Sequence, residues 1–537
     1  MVGEKIGQGG ARVLVALMLA TAAVSILVAD GCTPRARTLV APSPTAWVRP
    51  TGLTTPTAPP TTPPVTTSAT ETRFLEPTAT AVARASPSPA LTPTPSPPGK
   101  TTKMTVSTLS IPAYPYQRYL HDARDEAKNV VYKTLDWDAY HAAQPFPQTK
   151  SFTALVLENE YLRLTILPEL GGRIYSLIFK PTGADQFYRN PVLKPTRWGP
   201  AQQGWWLAAG GMEWCLPVEE HGYESAMPWS YTLGGSPREA TVTVRDTAEG
   251  GRLRASVTIS LPANRGYLQV TPRLENPTGQ RLQFKFWLNA MLALGGANRV
   301  GEDTEFIFPS EQVVIHSSGD RSLPGERQLM SFPTFNGVDY GWYRNWGRSW
   351  LGFFAWPQTR QGYAGAYDHR SQQGMVRVFP AQSARGLKLF AGKGLDPKLW
   401  TDDGSSYFEL HGGVAPTFWD EATLGPGEAF SWTEYWYPIW QIGGFDYATS
   451  EAAVKLALLP GKRVWVGAFV TAAEAATVVL SANTQEIIRR QVALSPALPL
   501  AWEIALPAEA PDSGTYLLSL IGQNGKVLAQ IAKSFRW

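Results

Sequence analysis

Three observations predict an all-β chain. Apolar and polar residues alternate with a period of two from Phe152 to the C-terminus, turn-forming clusters separate the alternating runs, and amphipathic helices are scarce. Leu162, Leu164 and Ile166 share one face of a run whose other face carries Arg163 and Thr165. Leu253, Ala255, Val257, Ile259 and Leu261 repeat the pattern over a longer strand, and Leu282, Phe284, Phe286 and Leu288 give a third. The punctuation comes from Pro168-Glu169-Leu170-Gly171-Gly172, Asn276-Pro277-Thr278-Gly279 and Leu424-Gly425-Pro426-Gly427. Residues 122–131 are the best candidate for a helix. Many strands without crossover helices predict antiparallel sheets stacked as a sandwich.

Lys5 and Arg12 precede an apolar run, 13–29, that ends in Asp30-Gly31-Cys32. A basic start and a short apolar segment read as an export signal. Cys32 fits a lipoprotein signal whose thiol is lipidated; cleavage after Ala29 and a retained anchor are the other readings, since the run is near the lower limit for a spanning helix. All three place the rest of the chain outside the cytoplasm, and the expectation is a protein anchored to the cell membrane through 1–32. Residues 33–104 are rich in Pro, Thr, Ser and Ala and have too little to bury to offset their ordering entropy. They read as a disordered stalk, able to span on the order of 200 Å at about 3.1 Å per residue. Cys32 and Cys215 are the only cysteines, so lipidation of Cys32 removes any disulfide within the chain.

The large β-domain is expected over 105–445. Composition shifts near 443–450, after the aromatic run Trp432-Thr433-Glu434-Tyr435-Trp436-Tyr437-Pro438. Short strands such as Val464-Trp465-Val466 and Tyr516-Leu517-Leu518-Ser519-Leu520 then predict a small immunoglobulin-like β-sandwich over 446–537. It contains few paired acids or histidines and reads as a packing or spacer module.

Composition narrows the partners. The net charge is +4 and the basic residues are scattered, with no basic cluster interleaved with stacking aromatics, so no nucleic-acid partner is expected. Phosphate-loop and serine-elbow motifs are not evident, and dispersed histidines give no zinc spacing, so neither metal nor cofactor is expected. Asp402-Asp403 and Glu302-Asp303 read as solvated turns rather than calcium sites.

The chemistry concentrates in Gly210-Gly211-Met212-Glu213-Trp214-Cys215-Leu216-Pro217 and the following Glu219-Glu220-His221-Gly222-Tyr223. Carboxylates and a histidine supply proton transfer, and aromatic rings supply faces for a sugar. Neighbouring Glu219 and Glu220 would raise the His221 pKa and favour a protonated donor. Glu213, if buried beside Trp214, would have a raised pKa and act as a general acid; otherwise it should pair with Arg173 or Arg189. Alternation places Glu409 and His411 on one face of a strand, where a carboxylate and an imidazole couple. Asp368-His369 is a further polar cluster. Most of the twenty tryptophans read as packing, but Trp205 and Trp206 are adjacent and would point to opposite faces, leaving one open to a ligand.

Glu158-Asn159-Glu160-Tyr161-Leu162, Leu167-Pro168-Glu169-Leu170-Gly171-Gly172-Arg173-Ile174 and Tyr188-Arg189-Asn190-Pro191 resemble the opening of a galactose-mutarotase-like supersandwich domain. Trp287-Leu288-Asn289-Ala290, Tyr367-Asp368-His369, Tyr407-Phe408-Glu409-Leu410 and Tyr435-Trp436-Tyr437-Pro438-Ile439 continue the resemblance in order across 150–440. It is closest to a domain-of-unknown-function family often found ahead of tetratricopeptide repeats. The resemblance implies a β-supersandwich that takes carbohydrate, with Glu409 as the late-strand base, His221 as acid and Asp368 on sugar hydroxyls. Arg173, Arg189, Asn190, Trp205, Trp214, Glu220, His369 and His411 are the further substrate-binding candidates. The histidine–glycine–arginine stretch of true mutarotases is not evident, so one catalytic histidine has no counterpart. The expected function is acid/base chemistry on a saccharide, of epimerase, hydrolase or lyase type, by a surface-anchored protein. A non-catalytic glycan-binding or structural envelope module is the alternative.

Overall fold

The computed structural model describes residues 101–247, 251–347 and 349–537. The export signal, Cys32 and nearly all of the stalk lie outside them. The first strand, Lys103–Ala113, pairs along its full length with Gln148–Glu158, so Lys103 and Met104 belong to the sheet rather than to the stalk.

The described chain is all-β, a supersandwich followed by a second β-sandwich. One sheet of fourteen strands faces another of nine. Alternation decides what lies between them: Leu162, Leu164 and Ile166 of the first sheet and Val257, Ile259 and Leu261 of the second enter one continuous core, all fully buried. In the C-terminal part, two four-stranded antiparallel sheets enclose a separate core that includes Val454, Val466, Val478 and Leu518. It is tied to the large domain by the Trp465 indole N–H on the Ile442 carbonyl (2.9 Å) and the Trp440 indole N–H on the Pro496 carbonyl (3.0 Å).

Two local expectations are corrected. Residues 122–131 form no helix: Leu120–Asp125 and Val130–Leu135 make a two-stranded hairpin. Its turn is closed by the Asp125 carboxylate, which accepts from the Lys128 amide at 3.1 Å, and Asn129 takes the left-handed conformation at φ 51°. The run from Leu282 to Leu288 is two strands. Leu282–Phe284 pairs with Ala422–Leu424, whereas Trp287–Leu292 joins the fourteen-stranded sheet. Alternation survives the break because Phe284, Phe286 and Leu288 all remain in the core.

Candidate active site

Gly386–Ala391, Phe408–Gly413, Trp287–Leu292, Met212–Cys215 and Arg173–Phe179 are consecutive neighbours in the large sheet. In their registers Lys388 lies opposite His411, His411 opposite Asn289, and Asn289 opposite Glu213. Opposed residues project from the same face of a sheet, so four polar groups form one line across it. Glu409 shares that face, two positions from His411. The intervening Met212, Trp214, Leu288, Leu410 and Leu389 turn into the main core.

Hydrogen bonds join the row. Glu213, only 1% exposed, accepts from His221 Nδ1 at 2.6 Å, Trp206 Nε1 at 3.2 Å, and Arg173 Nη2 and Asn289 Nδ2 at 3.3 Å. The same Asn289 amide donates to Glu409 Oε1 at 3.2 Å, and Glu409 Oε2 accepts from His411 Nε2 at 2.9 Å. One amide therefore bridges two carboxylates, each partnered by its own histidine. The fully buried Arg173 directs its remaining donors to the carbonyls of Leu170 (2.9 Å), Gly210 (2.9 Å) and Ser225 (2.7 Å).

The row separates the three histidines electrically. Burial opposes charge on His221, but Glu213, Glu409 and Glu220 outweigh it and raise its pKa above 6.5. The His221 ring stacks on Trp206, with ring centroids 3.9 Å apart and planes at 19°, a contact that favours its cationic form. Burial and the Lys388 cation lower His411 to about 4, and the same two causes lower His316 to about 4. Burial pushes Glu409 upward, but the His411 hydrogen bond and the surrounding positive charge hold it at about 2. At neutral pH the row thus contains an ionised Glu409 and a neutral His411, while the surrounding carboxylates bias His221 toward its cationic form. Neutral His411 donates from Nε2, and its Nδ1 is buried without a hydrogen-bond partner among the described residues.

The pH response follows in sign. His411 and His316 have folded pKa values below 6.5, so the stability they lend is complete above pH 6.5 and is lost as pH falls toward 4. His221 is shifted upward, so its contribution is complete below pH 6.5 and is lost as pH rises through its folded value. NMR titration of the imidazole Cε1–H signals should show His411 and His316 titrating near 4 and His221 above 6.5. A His221 midpoint below 6.5 would contradict this electrostatic account.

His221 is held by a strained turn. Glu220, His221 and Gly222 have φ of 40°, 66° and 61°, three left-handed residues in succession. Each non-glycine in such a state costs about 1–3 kcal/mol, a strain that persists only where the surroundings impose it. At Gly222 a Cβ would lie 2.2 Å from the Leu216 nitrogen. Gly222→Ala is therefore expected to displace the turn and return the His221 titration toward its ordinary value; an unchanged His221 signal would show that the turn does not hold it.

The second sheet braces the row from beneath. Arg377 and Glu434 are fully buried and doubly bonded, Nε to Oε2 at 2.7 Å and Nη2 to Oε1 at 2.8 Å. Trp432 and Trp436 also donate to Glu434, at 2.9 and 3.3 Å. Arg377 Nη1 then reaches across to the His411 carbonyl at 3.3 Å. Gly412 makes room for it, because a Cβ there would lie 2.0 Å from Arg377 Nη2.

Of the residues singled out in the sequence, Glu213, His221, Glu409, His411, Arg173 and Glu220 converge here. The expected raised pKa of Glu213 is corrected: burial raises it, but His221 and Arg173 outweigh burial and bring it below 4.5. Its pairing with Arg173 is the alternative the sequence offered. Neither Trp205 nor Trp206 presents an open face, since both are buried. Trp205 donates to the Lys133 carbonyl (2.8 Å) and stacks near Tyr116, and it is Trp206 that enters the row. Trp214 packs in the core with its N–H on the Gly172 carbonyl (3.2 Å). Asn190 holds the carbonyls of Ala208 (3.0 Å) and Trp400 (2.6 Å), and Arg189 pairs with Asp185 at 3.0 Å. Asp368 and His369 belong to the second sheet and its turn. Asp368 accepts from the amides of Arg370 and Ser371 and His369 pairs with Glu305 at 2.8 Å, so their partners lie outside the row.

Sequence reasoning missed Asn289, Lys388 and His316. The first two carried a readable signal, each being a polar residue alone in an apolar strand, Trp-Leu-Asn-Ala-Met-Leu and Gly-Leu-Lys-Leu-Phe-Ala. Among the described residues no group of three or more His, Cys, Asp or Glu is placed to hold a metal ion.

The chain belongs to the family described as Domain of unknown function (DUF5107), whose model matches residues 127–439. Residues 447–531 match the model described as YphG-like protein, second domain. A TPR-domain containing protein from Parabacteroides distasonis is similar in structure, with a TM-score of 0.53 and 24% identity. That match covers 63% of this chain, which spans 55% of the length of that protein. Galactose mutarotase-like proteins from Clostridium acetobutylicum and Lactobacillus casei are more distant. The first has 10% identity and a TM-score of 0.36, with 54% of this chain and 96% of that one covered. The second has 11% identity and a TM-score of 0.34, with 53% and 99% covered.

Proposed function

We propose that the row is a saccharide site that performs acid/base chemistry. The observation that carries the reading is geometric: Glu409 and His221 are both joined to Asn289, directly or through Glu213, in surroundings that lower the pKa of the first and raise that of the second. Such a pair suits a substrate that loses a proton at one oxygen and gains one at another, as in ring opening, epimerisation or glycosidic cleavage. Glu409 accepts from a sugar hydroxyl, and His221, anchored through Nδ1, donates from Nε2 to the ring or glycosidic oxygen. Neutral His411 donates its Nε2–H to Glu409 and holds that carboxylate in place. Arg173 and Trp206 keep Glu213 ionised, which keeps His221 protonated.

A saccharide ligand accords with the resemblance of the sequence to galactose-mutarotase-like domains. In this reading residues 1–32 anchor the domain outside the cytoplasm and 33–102 hold it off the surface, where glycans are met. A glycan-array screen of the protein, with product analysis of every sugar bound, tests the proposal. Binding accompanied by anomer exchange or new products is the expected result. Binding without any change in the sugar would leave the non-catalytic module, and no binding would remove the carbohydrate reading.

A further inference from the structure

The row is closed on most sides, with Glu213 and Glu409 only 1% and 6% exposed. At one corner it meets a cleft of about 1360 Å³, and the meeting point is Glu220 and His316, both of which line that cleft. Glu220 receives the Lys388 ammonium and the His316 Nε2 at 3.4 Å each, so it links the cleft to the row behind. A volume of this size exceeds the roughly 300–1,000 Å³ of pockets that enclose a compact small molecule. A single sugar ring would leave most of it to water.

The lining has the chemistry of a glycan path. The half-buried Trp419, with Arg327 over its ring, stands beside His316 with ring centroids 6.3 Å apart and gives an apolar surface next to polar groups, backed by the buried Phe418. Gln202, Gln280 and Gln283 contribute amides farther along. Both lysines of the lining are matched internally, Lys128 by Glu421 and Lys285 by Glu219 (2.8 Å). Glu220 is likewise matched by Lys388 and Glu126 by Arg124 (3.0 Å), which leaves Asp125 against Arg281. That balance is close to neutral and gives a polyanion no excess of positive charge to bind.

We propose that the cleft binds an uncharged oligosaccharide chain whose end meets Glu220, so that the protein acts on a chain terminus rather than on a free monosaccharide. The inference rests on the saccharide reading of the row. Calorimetric titration of the purified protein with malto-, cello-, manno-, xylo- and galacto-oligosaccharides from monomer to hexamer tests it, beside oligogalacturonates of matching length. In at least one neutral ladder the affinity is expected to rise about tenfold or more from monomer to tetramer, a change of about 1.4 kcal/mol. Trp419→Ala should remove most of that gain, and the oligogalacturonates should bind more weakly than the neutral chains. A monomer that binds as tightly as its hexamer, or a preference for the uronates, overturns the cleft assignment while leaving the saccharide site standing. Failure of every ladder to bind overturns both.

Discussion

Replacing Arg377 with Met is expected to destabilise the protein by about 3–5 kcal/mol, seen as a lowered urea midpoint. The substitution leaves the Glu434 carboxylate fully buried with two indole N–H donors and no counter-charge. It also frees the His411 carbonyl, to which Arg377 donates at 3.3 Å. The double variant Arg377→Met with Glu434→Leu should recover much of the loss, because removing both members of a buried pair is often near neutral. A single-variant loss below about 1 kcal/mol would mean that the pair does not brace the strand carrying Glu409 and His411.

Glu409→Gln is expected to lower turnover of a bound saccharide by about 10²–10⁴-fold, the usual worth of a positioned acid or base, while binding changes little. The amide matches the carboxylate in shape and can still accept from Asn289. Its NH₂ would face His411 Nε2, so His411 would need to change tautomer to accept. The negative charge that helps to raise the His221 pKa is lost as well. Both ends of the proton transfer weaken together. Full activity in this variant would sink the catalytic reading and leave Glu409 as a hydrogen-bonding residue of a binding module.

Much of the fold was legible because a period of two is an unambiguous signal wherever one face of a strand is buried. The exceptions are instructive. In residues 122–131, Asp122, Ala123 and Arg124 fit a helix as well as a strand, and the outcome was decided by the Asp125 turn and by pairing with Val130–Leu135. The break within Leu282–Leu288 left no mark in the alternation, because both pieces face the same core.

The candidate site was legible where a residue type carried chemistry in a polar neighbourhood. Glu409 and His411 on one strand face, and Glu213 near His221, needed only alternation and short separation. Lys388 and Asn289 each stand out as one polar residue in an apolar strand, but what they join is set by register and emerges only when four strands align them. His316 is distant in sequence from every other member and is brought in by its own strand, Gln312–Ser318. The sign of the Glu213 shift was misread because desolvation is visible in a sequence of aromatic neighbours, whereas the Arg173 and His221 charges that reverse it appear only on folding.

The central claim is that a saccharide sits against the row, and the six histidines provide the means to test it. The most direct measurement is the Cε1–H NMR spectrum recorded during titration with the best sugar from the array. His221 and His411 signals should shift together and saturably, while His121, His141 and His369, whose partners lie elsewhere, stay in place. Movement of His369 alone, or no movement of His221 at saturation, would place the ligand elsewhere and contradict the account.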